Sequence, residues 1–166
     1  MQWYNHRIVT ATCVYAATGS IVPTLIACQG SIIPDSIEGN NYNSAEWKDN
    51  HRKLSHFWPV YLVPVIACYF YLGTFVLPWT APQWAIWARN DMFGCILGGL
   101  SYFILWLCIG ALCHLAEDFI CGGVPLLHPR GKRVGVRLFY VKSHGEYRTS
   151  LILNIIFLGI ALCRFS

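Results

Sequence analysis

Four apolar runs divide the chain, at 8–33, 57–79, 93–113 and 151–163, with polar segments between them. A spanning helix needs about 20 apolar residues, so the two middle runs predict membrane-spanning helices. The fourth reaches that length only if Thr149 and the final residues join it. The first run has 26 residues, yet Gly19, Ser20 and Pro23 cluster in its middle. Three breakers together predict a turn. The run therefore reads as two short helices, roughly 6–18 and 24–33, that dip into the bilayer and return. Such a break is permitted at membrane depth where it packs against protein or water. Ser55 can cap the next helix, which Pro59 starts in a permitted position. After Cys121 a second polar segment contains "GKRVGVRLFYV", in which Val134, Val136, Leu138 and Tyr140 alternate with other residues. That alternation predicts a short hairpin or edge strand. The expected fold is a single all-α membrane domain over 1–166. It comprises a re-entrant N-terminal helix hairpin and three transmembrane helices, with a small polar loop or β-hairpin after the third long helix.

Composition strengthens the membrane reading. Only 12% of residues are charged and 55% are apolar, where a soluble domain carries about 25% charged residues. Trp3, Tyr4, Trp58, Trp79, Trp84 and Trp87 flank the apolar runs, as in an interfacial aromatic belt. The eight cysteines lie mostly inside those runs and form no CxxC, which argues for packed thiols rather than a disulfide framework or zinc ribbon. Arg7 before an apolar run and "YAATGS" imitate a signal peptide, but the n-region is weakly basic and Thr10 and Thr12 interrupt the run, so cleavage is not expected.

Charge placement sets an orientation. With a re-entrant first hairpin, the N-terminus and the loops 34–56 and 114–150 share one side. That side carries ten basic residues, against Arg89 and Arg164 on the other. Basic loops stay inside, so the polar loops are expected in the cytoplasm. If the first run spans instead, only Arg7 changes sides.

All six histidines and seven of the eight acids fall on that same side. His114 and Asp118, four residues apart, share one helical face and can clamp one metal. Asp35 follows Pro34 at a helix end, and His51 and His56 straddle the entry to the second apolar run. Imidazole and carboxylate with room for water suit a catalytic zinc or similar divalent ion. Gly122 and Gly123 end the helix and let the chain fold over the site. Glu117 reads as a partner behind the ligands, a proton carrier or a solvent-facing acid. Arg52 could clamp a phosphate bidentately. The basic segment 130–148 would draw anionic head groups, or serve only to fix topology.

Three stretches, "GSIIPDSIEG", "HRKLSHFWPVYL" and "GALCHLAEDFICGGVPLLHP", resemble the signatures of the LexA-regulated, membrane-bound metal-dependent hydrolases of YdjM type. Those read approximately G-x-LLPDID, HRGxTHS and G-x-x-x-H-x-x-x-D-x-x-T-x-x-G-VPLLWP, in the same order. With "NHRIVTA" as a counterpart of the "GHLLFS"-type start, the likeness covers most of residues 5–129. That family is grouped with the helical zinc-dependent phospholipase C and P1 nuclease fold. The resemblance implies a phosphoester hydrolase with His6, Asp35, His56, His114 and Asp118 as metal ligands. His51 would be a ligand or a partner behind one; beside that set, the residues themselves offer Glu117 and Arg52 for catalytic roles. It implies a divalent cofactor, zinc before others, as one to three ions. Together with the charge placement, it implies a multi-pass protein of the bacterial inner membrane with its metal site facing the cytoplasm.

The chain departs from the pattern at four places. Ile37 stands where the family has its second acid, with Glu38 one position later. Lys53 replaces a glycine, Ser55 a threonine and His128 a tryptophan. Loss of the second acid weakens the case for a full multi-metal site. His128, His144 and Glu146 could supply a further site or be solvated loop residues. Expected partners are membrane lipids and a phosphorylated, lipid-linked substrate. Nucleic acid is not expected, because no aromatic-basic surface is apparent. Two rival readings stand beside the hydrolase: a non-enzymatic membrane protein, inhibitory or exclusion-type, whose metal only staples helix ends, and a small ion transporter. An open coordination position separates the catalytic from the structural reading.

Overall fold

The computed structural model describes residues 1–39, 53–72 and 92–165. The first apolar run forms α1 (Trp3–Thr18) and α2 (Ile21–Gly30), broken at Gly19, whose backbone is left-handed, and Ser20. Pro23 sits in the first turn of α2, where a missing N–H costs nothing. A short α3 (Ile33–Ile37) follows. A single 3-10 turn (Leu54–His56) leads into α4 (Pro59–Tyr71). Then come the long α5 (Met92–Cys121), a two-stranded ribbon and α6 (His144–Phe165).

The described chain is mostly helical. Two helices, α5 and α6, are long and apolar enough to cross a membrane. The fourth run does gain its missing length, since α6 begins at His144 and takes in Thr149. The run 57–79 differs from expectation: its described helix has 13 residues and contains Pro64. At 1.5 Å per residue it is about 20 Å long, short of a hydrocarbon core of about 30 Å. The remainder of that run, and the connection with Pro78 and Pro82, lie outside the described residues.

Helix α5 is the axis of the molecule, packing against α1, α2, α3 and α4, while α6 packs on α1. Val14, Ala27, Tyr102 and Trp106 form one core cluster, and Tyr61, Ala111, Leu115 and Val124 another. The α2–α5 crossing is close enough to require glycine. A Cβ on Gly110 would lie 2.0 Å from the Ala27 carbonyl oxygen, and one on Gly30 2.0 Å from that of Leu107. Small residues give membrane helices this approach where no hydrophobic drive exists between them. The outer faces are apolar and bare: Phe70, Leu151, Ile155 and Leu162 are all largely exposed. A soluble protein rarely leaves so many large apolar side chains uncovered.

The ribbon is smaller than the alternation predicts. Val124–Pro125 (β1) pairs antiparallel with Arg133–Val134 (β2), Val124 opposite Val134. Beyond Val134 the ladder stops, and Arg137 adopts positive φ. The N–H groups of Val136 and Leu138 donate instead to the Phe119 and Ile120 carbonyls, at 2.9 and 3.0 Å. The last carbonyls of a helix have no partner within it, and this segment supplies one. Gly123, at φ +105, makes the turn that brings it there.

Candidate metal centre

Four elements meet at the C-terminal end of α5. His114 and Asp118 project from one face of α5, His6 comes from α1, Asp35 from α3 and His56 from the 3-10 turn. The His6 ring stacks on the His114 ring at 3.9 Å between centroids. His114 Nε2 lies 3.4 Å from His56 Nε2 and 3.7 Å from Asp35 Oδ1. His56 Nε2 is 3.4 Å from Asp35 Oδ1 and 3.4 Å from Asp118 Oδ2, which is itself 3.8 Å from His114 Nε2. The other oxygen of Asp118 faces His6 Nε2 at 3.6 Å and accepts from the Met1 amino group at 2.9 Å. The donors thus form two overlapping groups, His6–His114–Asp118 and Asp35–His56–His114.

These separations can be tested against a metal. With ligand bonds of about 2.0–2.2 Å, a tetrahedral ion holds its donor atoms about 3.3–3.6 Å apart. The spacings around His56 Nε2 match that edge, and they are long for hydrogen bonds. Electrostatics agree. Burial works against a charged His56, but the facing carboxylates of Asp118, Asp35 and Glu38 outweigh it and push its pKa up to about 10. Carboxylates this concentrated call for positive charge, and a proton on His56 is the least they can take. The donor set therefore fits a divalent ion.

Two of the three remaining ring nitrogens are also held, while His114 Nδ1 is buried with no hydrogen-bond partner among the described residues. His6 Nδ1 faces Glu117 Oε2 at 2.7 Å, and Thr10 donates to the other Glu117 oxygen at 3.2 Å. His56 Nδ1 faces Glu38 Oε1 at 3.1 Å, and the Ser55 hydroxyl donates to the same oxygen. In each case a carboxylate behind the ring turns Nε2 toward the cluster, the arrangement that fixes metal-binding histidines.

The structure brings together His6, Asp35, His56, His114 and Asp118. His51 and Arg52 lie outside the described residues. Glu117 is buried against α1 and does not face solvent. Glu38, one position past the family's second acid, reaches the site from behind His56; its place at the end of α3, three residues after Asp35, was the available signal. His128 and His144 are exposed. Glu146 is not a solvated loop residue: it is fully buried, accepting from the Gln2 and Lys142 backbone N–H groups at 2.5 and 2.6 Å and from Asn5 Nδ2 at 2.7 Å. With those bonds it clamps the start of α1 to the start of α6. A carboxylate so fully used by hydrogen bonds has a structural occupation.

No curated protein and no solved structure matches the chain. The model of the YdjM inner membrane protein family matches residues 1–165, and the chain belongs to that family.

Proposed function

We propose that the chain is a membrane-bound, metal-dependent hydrolase of a phosphoester bond in a phosphorylated or lipid-linked substrate. The observation that carries this reading is the set of donor atoms spaced 3.4–3.8 Å apart around His56 and His114, drawn from separate elements. Zinc suits imidazole and carboxylate ligands. A bound ion would lower the pKa of water to about 7 and polarise the attacked ester. The chain's own residues supply the rest. Asp118, with one oxygen toward His6 and the other toward His56 and His114, can serve two ions. Glu117 and Glu38 hold His6 and His56 in register, so Glu117 acts here as a positioning residue. Asp35 is the one ligand with noticeable exposure, 16% against 0–1% for the others, and marks the side from which water and substrate enter.

The orientation in the membrane rests on charge and reach. α2 has 10 residues, about 15 Å, too short to cross. His6 and Asp35, at the two ends of the α1–α3 segment, both approach His114. This supports a re-entrant arrangement with both ends on one side, and the excess of basic residues in the adjoining loops supports a cytoplasmic orientation for that side.

The test is metal analysis of the full chain purified in detergent, followed by a screen of phosphomonoesters, phosphodiesters and phospholipids. Stoichiometric zinc that is lost in His114→Ala and Asp118→Ala, with turnover lost alongside it, is the expected result. Near-complete burial of His6, His56 and His114 favours a second reading, a structural metal staple. On that reading chelation lowers thermal stability and no phosphoester is turned over.

A further inference from the structure

Beside the metal centre lies an open cleft of about 590 Å³ bordered by Glu38, Lys53, Ser55, His128 and Arg130, with Ile37 and Leu54 at its lip. Glu38 and Ser55 are shared walls: both also contact His56, at 3.1 and 3.0 Å to its Nδ1. The cleft is therefore one residue removed from the metal ligands. Its remaining polar groups are donors. Lys53 and Arg130 are cationic, and Arg130 N–H donates to His128 Nδ1 at 3.1 Å. An imidazole that accepts at Nδ1 carries its proton on Nε2, so His128 is held as a donor. The single carboxylate, Glu38, already accepts from Ser55. Ile37 and Leu54 are 67% and 62% exposed, giving the polar cleft an apolar edge.

Two of the three donors, Lys53 and His128, stand at positions where the resembled motifs carry glycine and tryptophan. Glycine at 53 would remove a cation, and tryptophan at 128 would offer an indole in place of the imidazole. The departures, separated by 75 positions in sequence, fall on one cavity.

We infer that this cleft is a phosphate-binding subsite in which Lys53, His128 Nε2–H and Arg130 hold an anionic phosphate group. The inference rests on the proposed hydrolase reading for its role, which is to anchor the charged end of the substrate next to the metal. Charge-assisted donors suit a phosphate, and the apolar lip suits a substrate that also has an acyl or prenyl chain.

Inorganic phosphate and dihexanoyl phosphatidic acid are the probes, titrated into the detergent-purified full chain by calorimetry. Zinc content is measured on every sample. Lys53→Gly and His128→Trp restore the motif residues, and Arg130→Gln removes the third donor; all three side chains are at least partly exposed, and retained zinc reports an intact fold. Each variant is expected to bind phosphate about tenfold more weakly, as loss of a charged hydrogen bond predicts, with zinc unchanged. Affinity that survives all three changes in zinc-loaded protein overturns the cleft and leaves the metal reading standing. If wild-type protein binds no zinc, yet its phosphate affinity still falls in these variants, the cleft stands and the hydrolase reading falls. Tighter binding of phosphatidic acid than of phosphate identifies a lipid head group as the source; equal binding identifies a soluble phosphate. Either result upholds the subsite.

Discussion

At the scale of single residues, neighbours in sequence have divided their work. Successive residues on a helix point about 100° apart, so Asp118 faces His56 while Glu117 turns to α1 and holds His6. Carboxylates behind ligating histidines typically change metal affinity by about 10–100-fold when removed. Glu117→Gln and Glu38→Gln should therefore weaken zinc binding by about that factor without abolishing it, as measured by competition with a chromophoric chelator. Zinc loss as complete as that of His114→Ala would make either residue a ligand instead. The His114–Asp118 pair was legible from spacing alone because an i, i+4 relation survives any packing of the helix. The direction of Glu117 was not, since it depends on which helix lies beside α5.

At the scale of elements, two contacts hold the frame of the site. The α2–α5 crossing leaves no space for a Cβ at Gly110 or Gly30. Gly110→Ala should push the helices apart and cost about 1–3 kcal/mol, as overpacking does, lowering the unfolding midpoint in detergent. An unchanged midpoint would mean the crossing is looser than these contacts require. The second contact is Glu146. Glu146→Ala removes the acceptor used by the Gln2 and Lys142 N–H groups and by Asn5, and should cost about 1–3 kcal/mol for the donors stranded. Because the clamp holds the start of α1, zinc affinity should fall along with stability. The helix break at Gly19–Ser20 could be read from three clustered breakers. The extent of the ribbon could not. Val136 and Leu138 alternate like strand residues, but the open carbonyls at the end of α5 take their N–H groups.

At the scale of the molecule, the ligand cluster and the described basic segment 130–142 lie between the end of α5 and the start of α6, and α6 has an apolar outer face. Tyr140 is 87% exposed there. A Tyr140→Cys variant should resist a membrane-impermeant thiol reagent added to intact cells and react once the membrane is opened, each compared with the wild-type chain. Labelling in intact cells beyond the wild-type level would reverse the orientation.

Membrane character, the uncharged run 93–113, the break in the first run and the His114–Asp118 pair were determined by the sequence itself, while His6, Asp35 and His56 were reached through the resemblance to the family's motifs. The first four follow from composition, from breaker residues and from spacing within one helix, which are local properties. Tertiary structure alone decided that His6, Asp35 and His56, from three other elements, converge on the His114–Asp118 pair. It also decided that Glu38 and Glu117 stand behind histidines, that Glu146 is a buried clamp, and that Lys53 and His128 border one cleft. Each of these is a meeting of residues far apart in the chain, set by how close α2 and α5 can pack and by which backbone groups at the helix ends need partners.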